Sequence, residues 1–337
     1  MVKIGIIGIG RIGKIHTENI CYNIPKAEVV AIADINMTDK VIKWADGLGI
    51  NRCYKDYKKI LEDKDIDAVL ICSSTNTHAP ISLEAIKASK HVFCEKPIDL
   101  EVHKIMEVIN ALEEKNLKYQ VGFNRRFDHN FKAVREAVSN GKIGDPHILK
   151  ITSRDPAPPS IDYVKVSGGL FLDMTIHDFD MARYLVNSDV EELYVQGDVL
   201  IDEEIGKAGD VDTALISMKM ENGTLAVIDN SRKAVYGYDQ RAEVFGSSGM
   251  LTTSNDKQST AMLSNEQGVL SEKPLYFFLE RYMDSFRQEM RCFINAIVND
   301  EPVPVGVYDG LKSVIIGMAA KKSLEEGRPV KISEIKF

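Results

Sequence analysis

The chain has 337 residues, 44% of them hydrophobic and 27% charged, with a formal net charge of −8. That length allows about two domains with a substantial core, and the acidic balance disfavours nucleic acid and anionic membrane as partners and points to small-molecule chemistry. The five cysteines, Cys21, Cys53, Cys72, Cys94 and Cys292, form no CxxC pair. Together with an N-terminus unlike a secretory signal and no apolar run long enough for a bilayer, they exclude a disulfide scaffold and lead to the expectation of a cytoplasmic protein.

The predicted elements alternate at first. Val2–Ile7 reads as a buried strand, Arg11–Cys21 as a helix, Glu28–Asp34 as a strand, and Lys40–Leu48 and Tyr57–Glu62 as helices. Asp67–Cys72 is a continuous apolar strand of the kind covered on both faces. Ile81–Ala88 is helical, His91–Glu95 a strand, Leu100–Lys115 an amphipathic helix and Lys118–Gly122 a closing strand. This alternation predicts an α/β, doubly wound parallel sheet of the Rossmann type over residues 1–122. Beyond it the texture changes. After a helix at Asn130–Asn140, strands are predicted at His147–Ser153, Glu191–Asp198, Thr213–Met220, Gly223–Asn230, Arg241–Gly246 and Gly249–Thr253. Glu221-Asn222-Gly223 and Ser247-Ser248-Gly249 are hairpin signals. Helices return at Tyr282–Asn299 and Asp309–Glu326, and the Met and aromatic residues of Leu275–Phe293 read as core or subunit contact. Residues 123–337 are therefore expected to form an α+β domain with a large, mostly antiparallel sheet for substrate binding and oligomerisation.

Gly8-Ile9-Gly10-Arg11-Ile12-Gly13 is a GxGxxG turn that follows a strand and opens a helix. Gly8 permits the tight turn, Gly10 lets backbone approach a pyrophosphate at the helix N-terminus, and Gly13 allows close helix–strand packing. Asp34 ends the second strand where a carboxylate accepts ribose hydroxyls and repels a 2′-phosphate. No arginine stands among Ile35, Asn36 and Met37 to hold such a phosphate, so NAD is favoured over NADP.

Two further groups carry chemistry. Glu95-Lys96-Pro97 follows a predicted strand at the ligand-binding edge, and the proline restricts the backbone that aims the Lys96 ammonium. Asp173 and His177 are one helical turn apart within a largely apolar segment, where an ionisable pair needs a reason. A metal reading through Asp173, His177 and Cys94 is disfavoured, because HExxH and a second clustered histidine are both missing.

Taken together, GIGRIG with Asp34, Ser73-Ser74-Thr75-Asn76-Thr77-His78, EKP and GGLFLDMTIHDFD resemble the glucose–fructose oxidoreductase and inositol dehydrogenase family over essentially the whole chain. The segments GFNRRFD from Gly122, SRDP from Ser153 and YGYD from Tyr236 resemble its inositol dehydrogenase branch. The resemblance implies NAD-dependent oxidation of a secondary alcohol on a cyclic polyol, myo-inositol to 2-keto-myo-inositol foremost. Another inositol isomer, a pyranose sugar, or redox-neutral use of NAD are the alternatives, and a non-catalytic sensor is a further class. His177 would be the base, Lys96 the cation facing developing negative charge, and Asp173 the orienting group, in a crevice between the domains. The expected cofactor contacts are Gly8, Gly10, Arg11, Ile12, Asp34, Ser73, Thr75, Asn76, His78 and Glu95, the loop from Ser73 to His78 serving the nicotinamide half. A hydroxyl-rich ligand needs directional donors and acceptors, for which Arg125, Asp155, Asp180, Tyr236 and Tyr238 are the candidates. Homo-oligomers, tetramers in particular, are implied as well.

Overall fold

The computed structural model describes residues 1–113 and 115–336. They fall into two compact units. The first comprises Met1–Asn124 with Asp284–Val314, and the second Arg125–Met283 with Ile315–Lys336.

The first unit is built on six parallel strands: β1 (Val2–Ile7), β2 (Ala27–Ala33), β3 (Arg52–Tyr54), β4 (Ala68–Ile71), β5 (His91–Cys94) and β6 (Tyr119–Val121). Their order is β3-β2-β1-β4-β5-β6, so every strand ends at the same edge and the order reverses between β1 and β4. Strand β4 is buried at all four positions, which explains its unbroken apolar run. The core joins Ile4, Ile6, Ile32, Leu70 and Phe93 to Ile20 of the helix Arg11–Asn23 and to Met290, Phe293 and Ile294 of the helix Met283–Asn299. Those last three residues correct the expected boundary. The division at 122/123 assigns 284–314 to the second domain, but that stretch completes the core of the first. Apolar periodicity marks a helix without marking which core it joins.

The second unit holds a seven-stranded sheet, β7 (Pro146–Arg154), β8 (Val190–Asp198), β9 (Thr213–Met220), β10 (Leu225–Ser231), β11 (Asp239–Gly246), β12 (Gly249–Thr252) and, late in the chain, β15 (Val330–Lys331), in the order β12-β11-β7-β10-β9-β8-β15. The β7–β10 pair is parallel and the remaining pairs are antiparallel. Gly223 closes the β9–β10 hairpin at φ +89°. Alternation sorts the two faces. Leu149, Ile151, Ala226 and Ile228 are buried on the side of the helix Thr175–Val186. On the other side Leu225, Ile148, Phe245 and Met250 are in register across four strands, and all four are exposed.

The unpredicted elements had weak signals. The hairpin of β13 (Met262–Asn265) and β14 (Gly268–Ser271) is exposed at every position, so no buried face imposes alternation. Strands β3 and β15 span three and two residues. Among the described residues, no helix is long and apolar enough to cross a membrane.

Candidate active site

At the C-terminal edge of the first sheet the loop after β1 lies against the loop after β4. A Cβ on Gly8 would meet the Cys72–Ser73 backbone at 2.6 Å, and one on Gly13 would lie 2.0 Å from the Gly8 carbonyl oxygen. A Cβ on Gly10, by contrast, would meet nothing within 4 Å. Gly10 begins the helix Arg11–Asn23 with no side-chain cap, so the first-turn N–H groups lie behind open space, as a pyrophosphate site requires. Gly10 and Arg11 are exposed and Ile12 is half-buried. Asp34 accepts from the Ile9 N–H at 2.7 Å through one oxygen and from the Asn36 N–H at 2.7 Å through the other. Each oxygen keeps a further lone pair for a ribose hydroxyl. The residues present fit a bound dinucleotide.

Beyond β4, Ser73 hydrogen-bonds Thr77 at 2.7 Å, and Thr75–Thr77 form a 3₁₀ turn leading into the helix His78–Lys87. His78 is buried, with Nδ1 2.8 Å from the Pro97 carbonyl and Nε2 3.0 Å from the Ser73 carbonyl. Strand β5 delivers Glu95, Lys96 and Pro97 to the same edge, with a cis Lys96–Pro97 peptide. The Glu95 carboxylate turns inward onto His16 Nε2, 2.7 Å away. Lys96 is half-buried.

In the second unit a polar group forms where the inner face of the sheet meets two helical segments. Gly169–Asp173 ends at Asp173, and Thr175–Val186 carries His177 in its first turn. Asp173 accepts from the Tyr163 hydroxyl at 2.9 Å and from Arg232 at 3.1 Å. Arg232 is 2% exposed and also lies 3.6 Å from Asp155. Burial pushes Asp155 up to about 6 even though 17% of its side chain is exposed, Arg232 opposing the rise and Asp173 adding to it. Arg125 donates to Asp178 at 2.5 Å, to Ser153 at 3.3 Å and to the Tyr238 hydroxyl at 3.5 Å. Burial raises the Asp178 carboxyl from its ordinary value, against the pull of Arg125 and of Asn230, which donates at 2.9 Å. The arrangement offers a cluster of opposite charges, partly buried, suited to holding several hydroxyls in fixed directions, and His177 follows Asp173 by four residues in the same stretch of chain.

Residues 2–123 match the oxidoreductase family with an NAD-binding Rossmann fold, and residues 131–252 match the GFO/IDH/MocA C-terminal domain. The chain belongs to the Gfo/Idh/MocA oxidoreductase family. It is 52% identical over 334 residues, covering 99% of each chain, to a myo-inositol 2-dehydrogenase of Thermotoga maritima. It is 40% identical, over 98% of this chain and 99% of the relative, to an inositol 2-dehydrogenase of Rhizobium meliloti. A crystal structure of scyllo-inositol dehydrogenase from Lactobacillus casei with bound NAD(H) and scyllo-inositol superposes with a TM-score of 0.90 at 33% identity, covering 99% of each chain.

Within this Gfo/Idh/MocA chain some expected site residues stand apart from the rest. Asp180 is buried and both its oxygens are taken by Arg126, at 2.8 and 2.6 Å, so it does not join the Arg125 group. Asp178, two residues earlier, occupies that place. Tyr236 donates to Asp239 at 2.6 Å and accepts from Arg154 at 3.1 Å, away from Arg125. Both ring nitrogens of His78 and one carboxylate oxygen of Glu95 lie on protein partners. Arg232, Asp178, Asn230 and Tyr163 went unpredicted. Alternation along β10 carries a usable signal for Arg232, because Ala226, Ile228, Asn230 and Arg232 form one buried row of every second residue.

Proposed function

We propose that the protein is an inositol dehydrogenase that oxidises myo-inositol at one secondary alcohol, with NAD as the partner in redox. The observation that carries this reading is the polar group of Asp173, Arg232, Asp155, Arg125, Asp178 and Tyr238, of which Arg232, Arg125, Asp178 and Tyr238 are buried, a set suited to a ligand with hydroxyls all round and little apolar surface. The names of the relatives support it. When bound at the Gly8–Gly13 turn and Asp34, the cofactor supplies a hydride acceptor. His177 removes the hydroxyl proton, a task that suits an imidazole near neutral pH. Lys96 places a positive charge for the oxygen as it becomes anionic. Asp173, held by Tyr163 and Arg232, fixes the direction of a hydroxyl next to the base. Assay of NADH formation across myo-inositol, scyllo-inositol and pyranose sugars tests the proposal. Turnover with myo-inositol is expected, and activity confined to pyranoses would sink the inositol reading.

We also infer that copies of this chain associate, as a tetramer, through the open face of the second sheet, where the row Leu225–Ile148–Phe245–Met250 leaves apolar surface in water. Phe245→Glu is expected to lower the mass seen by sedimentation equilibrium, and an unchanged mass would place the contact elsewhere. The five free cysteines accord with a cytoplasmic setting.

A further inference from the structure

Two buried histidines lie outside the proposed catalytic set and hold the segment Glu95–Pro97 from its two ends. At one end both ring nitrogens of His78 face backbone carbonyl oxygens, those of Ser73 and Pro97. A carbonyl oxygen only accepts, so both contacts are hydrogen bonds only when both ring nitrogens carry a proton. At the other end His16, fully buried, donates from Nε2 to Glu95 at 2.7 Å. Gly122 leaves room for that inward carboxylate, because a Cβ there would lie 2.9 Å from Glu95 Oε2. Behind the pair stands Glu289, fully buried, 3.8 Å from His16 Nε2 and without a hydrogen-bond partner for either oxygen among the described residues.

The ligand atoms of His16, Glu95 and Glu289 lie within 4.8 Å of one another. A divalent ion is nevertheless a poor occupant. Two donors on one tetrahedral zinc stand about 3.3 Å apart, given bond lengths near 2.0–2.1 Å, whereas His16 and Glu95 are at hydrogen-bond distance. A proton resolves the charge instead. Burial drives Glu289 well above the usual carboxylate range, with Glu95 and Cys292 adding to the rise, and His16 makes its hydrogen bond to Glu95 rather than to Glu289.

We propose that His16 and His78 are positioning residues for Lys96, fixing its backbone by holding the Glu95 side chain on one flank and the Pro97 carbonyl on the other. The inference rests on the reading of Lys96 as the cation of the reaction. His78 acts through charge as well as shape. Burial opposes its protonation, yet neighbouring Cys94 and the two carbonyls raise it to about 9, while Tyr119 on β6 faces the same sulfur. The raised value means the clamp is complete below the ordinary histidine range and is lost as pH rises through about 9. Around Glu289 the facing groups are His16, Glu95, Cys292 and Cys72.

The test uses the full chain and needs no assumption about the alcohol. NMR of the wild type should show both ring nitrogens of His78 protonated at neutral pH, and a single ring N–H would overturn the proposal. Competitive acetylation of the Lys96 amine against pH, read by mass spectrometry, should give a displaced profile in His78→Gln and in His16→Leu, whereas His16→Gln, which keeps a donor for Glu95, should restore the wild-type profile. With the preferred alcohol, His78→Gln should lose about 10²-fold in kcat, the order expected for a misplacement near 1 Å, with the dissociation constant for NAD nearly unchanged. A native-like variant with wild-type acetylation and kcat would refute the positioning role. Stoichiometric divalent metal in the purified protein would refute the proton-linked cluster. A displaced Lys96 profile in a protein that oxidises no inositol would leave this inference standing and remove only the substrate assignment.

Discussion

Replacing His177 with alanine is expected to lower kcat by about 10²- to 10⁴-fold, the range for loss of a positioned general base, while NAD affinity stays within error of the wild type. The split follows from placement. His177 sits in the first turn of Thr175–Val186 in the second unit, whereas the Gly8–Gly13 turn and Asp34 belong to the first. Asp173, one turn earlier, is tied to Tyr163 and Arg232 and remains in place when the imidazole is gone. Steady-state NADH formation together with fluorescence titration of NADH measures both quantities. Wild-type turnover in the variant would exclude His177 as the base. A large loss of NAD affinity would mean that the histidine serves the cofactor instead.

The second large effect is on stability. Arg125→Met should cost about 3–5 kcal/mol, because it strands the carboxylate of Asp178 in the interior. Arg125 is 4% exposed and Asp178 fully buried, and Asn230 then remains as a donor to that carboxylate at 2.9 Å. The sign with pH follows from the direction of the shift. The folded-state pKa of Asp178 is already raised, and it rises further without the guanidinium. The folded variant therefore binds more protons than the unfolded chain, and its stability falls as pH increases from the ordinary carboxylate range toward that higher value. Urea unfolding should show the deficit growing from mildly acidic to neutral pH. Adding Asp178→Asn should recover much of it, since the stranded charge is then removed. A deficit independent of pH in the single variant would assign the loss to packing.

What the sequence discloses depends on how local the cause is. The GxGxxG turn with Asp34 is legible because strand, turn and helix follow one another within a short stretch, and Lys96 is legible because it directly follows an apolar strand. Asp173 and His177 stand out as ionisable residues among Phe171, Leu172, Met174 and Ile176. Choosing between Asp178 and Asp180 is another matter. The two are both buried and both on the same helix, and the difference is that Arg125 reaches one and Arg126 the other. No spacing rule separates adjacent arginines that take different partners. Glu289 is hidden for a related reason. It reads as one more polar residue in an amphipathic helix until Met290, Phe293 and Ile294 are seen to turn that face into the first core, opposite His16.

That return of the chain has a consequence on the ribosome. Asp284 lies 160 residues beyond Asn124, so the core face awaiting Met290, Phe293 and Ile294 is complete in neither sequence nor structure when the first strands have paired. At elongation rates of about 5–20 residues per second, the gap lasts roughly eight to thirty seconds. During that interval the nascent dinucleotide domain shows water the apolar surface around Phe93 and Ile20. Its solubility in the cell is then a matter of translation speed and chaperone capture as much as of final stability.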